Sequence, residues 1–378
     1  MQLTGVYAPL VTPFDANEEI DFDVYQRLID FVLDNGVVGL IPGGTTGEVY
    51  ALSDSERLDL FKFVKERAGS RATLIAGVNA GSTRDVLRFT EAAEKLGYDG
   101  LMAAVPPYSR PSQRELLAHF KAVARSTSLP IVLYNFPWRA GSEIGYDVLD
   151  GLAEEANVVA IKEASGEMTR VFEMRLRYGD RFQISCGSDD QALDYFLWGS
   201  TSWIAGGASS APRQHTDVLQ AALAGDFVKA RAHMEKLLPL LRNMETGHYT
   251  QKVKAGCELQ GIAVGHARRP LLPLTPEYHA AFAEIFRQIE QDVSVIFIEM
   301  NQLEIPQEDC RVRSVSLVMR KMKHQFLPRA DYLALTVVDH ERCDIAPFDF
   351  LRKFAGGDTC PLAEGRKQVM ADNPRMTP

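Results

Sequence analysis

The stretch that decides the fold reads Val-Val-Ala-Ile-Lys-Glu-Ala-Ser-Gly, at residues 158–166. Its apolar residues lead directly into Lys162, and a short turn containing glycine follows. A short apolar run that ends at a turn is typical of a strand buried on both faces. Lysine is seldom buried without a partner. Lys162 therefore either extends its amine to water or holds it in an apolar site for a chemical purpose.

A buried amine at this position would be a nucleophile. Burial disfavours the ammonium form and lowers the pKa of a lysine from about 10.4 by as much as ~3–5 units. A neutral amine can attack a carbonyl carbon and form a Schiff base. The stretch by itself leaves the two interpretations of Lys162 equally open, so the choice depends on the rest of the chain.

Strand-like runs alternate with amphipathic helical patterns from residue 5 to about residue 207. The predicted strands are 5–13, 38–43, 73–79, 100–106, 131–136, 158–163, 182–187 and 201–206. Strands that alternate with helices indicate parallel βα units, and eight such units close a (β/α)₈ barrel. An open doubly wound sheet is the alternative, but no Gly-x-Gly-x-x-Gly follows the first strand. We therefore predict a (β/α)₈ TIM barrel.

The helical patterns extend beyond the predicted barrel. Within it they cover 21–35, 53–68, 83–96 and 112–127, and after it 214–224, 228–244, 250–264 and 276–290. Ser53 and Glu56 fit a capping box at the start of the second helix. We expect a catalytic barrel over residues 1–225 and a C-terminal helical layer over 226–291. We expect an appended α+β segment over 292–378, with strand-like runs at 293–298, 312–319 and 332–338.

Composition excludes several classes of function. Hydrophobic residues make up 46% and charged residues 24% of the 378-residue chain, as in ordinary globular proteins. A formal net charge of -9 argues against partners such as nucleic acid or an anionic membrane surface. No signal peptide or long apolar span is visible, and five scattered cysteines do not form a disulfide framework. We expect a cytoplasmic protein with reduced thiols.

In a (β/α)₈ barrel the active site lies at the C-terminal ends of the strands. Polar residues follow several predicted strands of this chain at those ends. They are Thr45 and Thr46 after the second strand, Tyr108 after the fourth, Tyr134 and Arg139 around the end of the fifth, Lys162 on the sixth, and Asp189 after the seventh. Because these ends meet at one mouth, we treat the residues as one constellation.

Each member of the constellation also has a structural interpretation. The glycine-rich loop at 43–47 is either a plain tight turn or a cradle of N–H groups and hydroxyls for a small carboxylate. Tyr134 and Tyr108 either pack at the barrel mouth or form, with a threonine, a proton relay to Lys162. Arg139 is either a surface cation or a carboxylate clamp. For Asp189, a helix cap is favoured over a substrate contact.

Three ordered motifs carry a resemblance to a known family. They are the glycine-rich segment 36–48, the Tyr-Asn-Phe-Pro block at 134–137 and the Ile-Lys-Glu block at 161–163. With this spacing the chain resembles the dihydrodipicolinate synthase / N-acetylneuraminate lyase family over roughly residues 1–290. Members are (β/α)₈ class I aldolase-type enzymes, usually tetrameric, that act on pyruvate-like 2-oxo acids and need no metal or other cofactor.

The resemblance implies a role for each matching residue. Lys162 would form the imine with the keto carbon, and Tyr134 would act as its acid and base. Thr45 and Tyr108 would complete the proton relay, with Tyr108 lent across a dimer interface. Thr45 and Thr46 would hold the pyruvate carboxylate. The remaining matches, which would bind substrate at the pocket wall, are Arg139, Gly187 and Ile204.

The second substrate is less defined. Arg139 resembles the synthase branch, which condenses pyruvate with aspartate semialdehyde, whereas Trp138 stands where that branch usually has a small residue. The alternatives are an aldolase, dehydratase or deaminase acting on a sugar-derived 2-keto-3-deoxy acid or a hydroxy-pyrroline carboxylate. From another class, the alternative is a non-catalytic keto-acid-binding protein.

The segment after residue 291 has no counterpart in the family. Its Cys310, Cys343, Cys360, His324 and His340 suggest zinc, but only His340 and Cys343 have the spacing of ligands. We favour scattered core cysteines and expect no metal site.

Overall fold

The eight predicted strands form a closed barrel in which neighbours along the chain are neighbours in space. The computed structural model describes residues 1–290 and, beyond them, the strand segments Ser316–Met322 and Tyr332–Val338. The barrel strands are β1 (Gly5–Ala8), β2 (Gly39–Leu40), β3 (Thr73–Gly77), β4 (Gly100–Ala104), β5 (Ile131–Asn135), β6 (Val158–Glu163), β7 (Gln183–Cys186) and β8 (Ser202–Ile204). The prediction of a (β/α)₈ TIM barrel is confirmed, with strands shorter than the sequence suggested.

Helices surround the barrel and continue after it. They are α1 (Phe22–Asp34), α2 (Asp54–Ala68), α3 (Thr83–Lys95), α4 (Gln113–Arg125), α5 (Pro137–Ala140), α6 (Tyr146–Leu152), α7 (Met168–Tyr178), α8 (Ala192–Leu197), α9 (Pro212–Leu223), α10 (Phe227–Glu245), α11 (Tyr249–Leu259) and α12 (Pro276–Glu290). The predicted capping box at Ser53 and Glu56 is present at the start of α2. Among the described helices, none is long and apolar enough to span a membrane.

Alternation along each strand separates two apolar layers. On β6, Ala160 faces the barrel interior, where it packs in a small cluster with Tyr7, Val132 and Ile204. Ile161, one residue later, belongs to the large outer core between strands and helices. Lys162 is therefore on the interior side of the strand, which is the side that leads to the barrel mouth.

The chain divides into two compact units, Met1–Gln291 and Asp292–Pro378. In the second unit, β9 (Ser316–Met322) and β10 (Tyr332–Val338) form an antiparallel pair that aligns Tyr332 with Met322. The sequence predicted strand-like runs at 312–319 and 332–338 in this region. The predicted run at 293–298 and the cysteines and histidines considered for zinc lie outside the described residues.

A buried ion pair joins the helical layer to the loop that follows β2. The Lys254 Nζ atom of α11 lies 2.8 Å from Oε1 of Glu48, and both side chains are almost fully buried. Lys254 also donates to the His266 carbonyl at 2.8 Å, and the Arg268 backbone N–H donates to Glu48 Oε2 at 2.9 Å. These bonds fix the end of the loop that carries Thr45 and Thr46.

Replacing Lys254 by methionine should destabilise the first unit by about 3–5 kcal/mol, because the Glu48 carboxylate would stay buried without its cation. The measurement is the urea unfolding midpoint of the full chain. The double variant Glu48→Gln, Lys254→Met removes both charges and should recover much of the loss. A single variant that unfolds within about 1 kcal/mol of wild type would contradict this role for the pair.

Candidate active site

A cavity of about 410 Å³ opens at the C-terminal end of the barrel. Its wall combines strand-end residues with residues of α10 and α11. The lining residues are Thr45, Thr46, Tyr134, Phe136, Trp138, Arg139, Lys162, Gly187, Asp189, Gly206, Met244, Glu245, Gly247, His248, Tyr249 and Thr250. The structure therefore brings together most of the constellation predicted from the strand ends.

Lys162 is the buried cation at the base of this cavity. Its side chain is 6% exposed, and its Nζ atom lies 4.3 Å from the centre of the Tyr134 ring. Within the described part of the chain it forms no ion pair. Desolvation lowers the pKa of Lys162 to about 8, against a smaller opposing effect of Asp189. More of this amine is therefore uncharged near neutral pH than in an ordinary exposed lysine, and the uncharged form is the nucleophile.

Tyr134 is the neighbour of Lys162 across the β5–β6 ladder, where the two residues are in register. Its ring stacks on Phe136 with centroids 5.9 Å apart. Burial raises the pKa of Tyr134, so the hydroxyl is protonated at neutral pH. No hydrogen bond joins it to Thr45 among residues 1–290, and catalytic hydrogen bonds often tighten only when substrate binds.

Glu163 holds the end of β6 from the opposite side of the strand. Its buried carboxylate accepts from Asn135 Nδ2 at 3.0 Å, from the Ser165 N–H at 2.8 Å and from Arg170 Nε at 3.2 Å. Arg170 in turn donates to the Ile144 carbonyl at 2.8 Å. Because β6 alternates, this network fixes the backbone of Lys162 without placing a carboxylate beside the amine.

The glycines at 43–47 let the threonine loop pack against the barrel. Gly43 has a φ of +70°, and a Cβ at Gly77 on β3 would stand 2.5 Å from the Gly43 carbonyl oxygen. A Cβ at Gly47 would stand 2.7 Å from the Leu10 carbonyl oxygen. This close packing presents Thr45 and Thr46 to the cavity, where their hydroxyls and N–H groups are available for a small carboxylate.

Two further glycines bring backbone to the cavity wall. A Cβ at Gly187, directly after β7, would lie 2.7 Å from the Glu163 carbonyl oxygen and 2.9 Å from Lys162 Cγ, so a side chain there would clash with the end of β6. A Cβ at Gly206 would lie 2.3 Å from the Tyr249 hydroxyl and 3.1 Å from Thr46 Oγ1. Gly187 was among the predicted binding residues, whereas sequence reasoning missed Gly206.

Arg139 and Trp138 lie on α5 at the mouth. Arg139 lines the cavity and forms no ion pair within the part that the structure describes. Trp138 is 83% exposed, and its Nε1 donates to the Ser165 carbonyl at 3.3 Å. The indole therefore stands at the edge of the opening, and its position narrows access from one side.

Two predicted site residues do not line the cavity of the single chain. Ile204 lies deeper, in the inner barrel cluster with Tyr134 and Ala160. Tyr108 has a positive φ of 71° and is 99% exposed. An aromatic residue held out in a left-handed backbone conformation contributes nothing to packing within this chain.

The structure corrects the expectation for Asp189. The favoured role was a helix cap, but the cap of the turn Asp189–Gln191 is Ser188, and the Asp189 side chain does not cap it. Its Oδ1 accepts from Trp203 Nε1 at 2.8 Å, and its Oδ2 accepts from the Tyr249 hydroxyl at 3.2 Å. Asp189 is thus a buried cavity residue whose two oxygens are both satisfied.

Helices α10 and α11 contribute the residues that sequence reasoning missed. Glu245 ends α10, His248 precedes α11 with a positive φ of 55°, and Tyr249 begins α11. They lie outside the eight βα units, so no strand-end rule pointed to them. The only available signal was the Gly247-His248 turn between two predicted helices.

Residues 1–290 contain no group of three or more histidine, cysteine, aspartate or glutamate side chains placed to hold a metal ion. The groups that line the cavity include an amine with a lowered pKa, a phenol and two threonine hydroxyls. This set suits imine chemistry on a small carboxylate-bearing carbonyl compound.

Sequence and structure comparisons point to one family. The model of the dihydrodipicolinate synthetase family matches residues 2–289. The 4-hydroxy-tetrahydrodipicolinate synthase 1 of Halalkalibacterium halodurans is 36% identical over 277 residues, which are 73% of this chain and 94% of that protein. The synthase of Neisseria gonorrhoeae is 35% identical, over 72% of this chain and 94% of its own length.

Solved structures give the same result. The dihydrodipicolinate synthase of Aquifex aeolicus superposes with a TM-score of 0.74 at 32% identity, covering 76% of this chain and 98% of that one. The synthase of Acinetobacter baumannii, solved in complex with pyruvate, gives 0.74 at 30% identity, over 76% and 99%. Fold and site define a (β/α)₈ barrel protein with a buried lysine at the end of its sixth strand. The chain belongs to the dihydrodipicolinate synthetase family.

Proposed function

We propose that this protein is a 4-hydroxy-tetrahydrodipicolinate synthase, a lyase of the class I aldolase type that condenses pyruvate with L-aspartate 4-semialdehyde. The observation that carries the proposal is the Lys162 amine, buried above the Tyr134 ring with a pKa lowered to about 8. The alignment with this chain covers 94% of the length of each of the two relatives named as synthases.

The residues of the cavity suit the first half of this reaction. The Lys162 nitrogen attacks the keto carbon of pyruvate, and the keto oxygen leaves as water after taking protons. Tyr134, a phenol at the start, supplies one of these protons and as phenolate can then remove a methyl proton to give the enamine. Thr45, Thr46 and the backbone at Gly187 hold the carboxylate.

Arg139 is suited to the second half of the reaction, in which the second substrate is bound and condensed. The enamine carbon attacks the aldehyde carbon of the second substrate, whose oxygen takes a proton, so one carbon–carbon bond forms. A semialdehyde derived from an amino acid also carries a carboxylate, which the guanidinium can bind in bidentate fashion. Arg139 is on the cavity wall with no carboxylate partner among the described residues, which supports this assignment over a surface role.

We propose a cytoplasmic homo-oligomer, a dimer or tetramer, in which Tyr108 of one subunit completes the proton relay of its neighbour. The support is the near-complete exposure of Tyr108 in the single chain. Ile204 would act from the barrel interior, through its backbone next to the keto-acid site.

Replacing Lys162 by arginine should abolish condensation, because a guanidinium keeps the charge but cannot form the imine. The assay follows pyruvate and aspartate semialdehyde consumption and, separately, borohydride trapping of pyruvate on the peptide that contains residue 162. The matched control, Lys62→Arg on the exposed face of α2, should keep both. Trapping on a different lysine, or full turnover by Lys162→Arg, would refute the proposed function.

Hybrid oligomers test the role of Tyr108. Lys162→Ala and Tyr108→Phe chains should each be nearly inactive alone, since each lacks one part of every site. After mixing and subunit exchange, some sites pair an intact Lys162 with an intact Tyr108 from the neighbour, so activity should return to a measurable fraction of wild type. Mixtures that stay as inactive as their parents would show that Tyr108 does not act across an interface.

A further inference from the structure

Four side chains of the aspartate, glutamate, lysine or arginine type line the cavity, and two of them are accounted for. Lys162 carries the imine chemistry, and Asp189 has both oxygens hydrogen-bonded to Trp203 and Tyr249. The other two are Arg139 on α5 and Glu245 at the end of α10. Neither forms an ion pair with another described residue. One cation and one anion are therefore presented to whatever enters the mouth.

A glutamate at position 245 is not explained by a contribution to the stability of α10. The residue is the last of the helix, where the unsatisfied carbonyl groups make the end partly negative and favour a cation rather than an anion. Desolvation, followed by the negative charges of Asp189 and Asp190, raises the pKa of the Glu245 carboxyl. The surrounding protein therefore disfavours the ionised form of Glu245. A cationic ligand bound to the carboxylate would stabilise that form.

The second substrate of the proposed reaction has such a group. At neutral pH an amino-acid semialdehyde carries a carboxylate and an ammonium on the same carbon, so its recognition needs one cation and one anion on the same wall. Arg139 supplies the cation. We infer that Glu245 binds the ammonium group of the second substrate and so selects an amino-acid semialdehyde over an aldehyde that lacks nitrogen.

Asp189 is the competing candidate for this role, and its hydrogen bonds argue against it. An ammonium at Asp189 would compete with the buried Trp203 indole and the partly buried Tyr249 hydroxyl, which already donate to its two oxygens. Glu245 has no such bond to another described residue, and its side chain is exposed at the cavity mouth. The mouth is also where the second substrate arrives, because pyruvate occupies the base beside Lys162.

The test compares two aldehydes in the variant Glu245→Gln. One is L-aspartate semialdehyde, measured by its KM, and the other is succinate semialdehyde, which has the same aldehyde and carboxylate but no amino group, measured as an inhibitor. The inference rests on the proposed function. Loss of a charged hydrogen bond should raise the KM for aspartate semialdehyde about 10–100-fold, while the inhibition constant of succinate semialdehyde stays within about threefold.

Three controls keep the result interpretable. Glu235→Gln makes the same change on an exposed site of the same helix, where Glu235 pairs with Arg231, and should behave as wild type. Borohydride should still trap pyruvate on Lys162 of Glu245→Gln, which shows that the variant is folded and its lysine is active. Glu245→Asp keeps the carboxylate and should restore part of the affinity.

Two outcomes would overturn the inference about Glu245, and both can be told apart from a result that refutes the proposed synthase activity. If Glu245→Gln matches Glu235→Gln in its KM for aspartate semialdehyde, Glu245 does not bind the ammonium. If both aldehydes lose affinity together, Glu245 only shapes the mouth. If wild type traps pyruvate but never consumes aspartate semialdehyde, the assigned second substrate is wrong, and this inference falls with it.

Discussion

The chemistry of the cavity depends on the desolvation of one amine. Lys162 projects into the barrel interior beside the Tyr134 ring, and residues 1–290 place no carboxylate within ion-pair distance of it. Burial favours the neutral amine, and the weaker attraction of Asp189 does not reverse that preference. A carboxylate paired directly with Nζ would stabilise the ammonium and remove the nucleophile. The residues that the structure describes around Lys162 exclude solvent from its side chain but provide no ion-pair partner for its amine.

The buried charged networks that hold the site in place lie outside the cavity. Glu163, Asn135 and Arg170 form a buried network on the outer side of β6, and Glu48 with Lys254 ties the threonine loop to α11. Burying the charges of each network costs desolvation free energy. In return, each network fixes the position of a strand end or a loop that lines the cavity. Arg139 and Glu245 line the cavity and form no ion pair with another residue that the structure describes.

Strand-end residues could be predicted from sequence because a parallel barrel gathers them at one mouth whatever their distance along the chain. Six of the residues predicted in this way line the cavity, namely Lys162, Tyr134, Thr45, Thr46, Arg139 and Gly187. Glu245, His248 and Tyr249 could not be predicted, because α10 and α11 reach the mouth only through helix packing that no periodicity encodes. For Asp189 the local pattern suggested a cap, while tertiary hydrogen bonds to Trp203 and Tyr249 set its role.

Competitive labelling with acetic anhydride measures the state of the amine directly, because only the uncharged form reacts. Across pH 6–11, the rate at Lys162 in the free protein should follow a titration with a midpoint near 8. A lysine in an unstructured reference peptide should titrate near ~10.4, and saturating pyruvate should protect Lys162. A midpoint at the reference value, with no protection by pyruvate, would show an ordinary solvated lysine and would contradict the account.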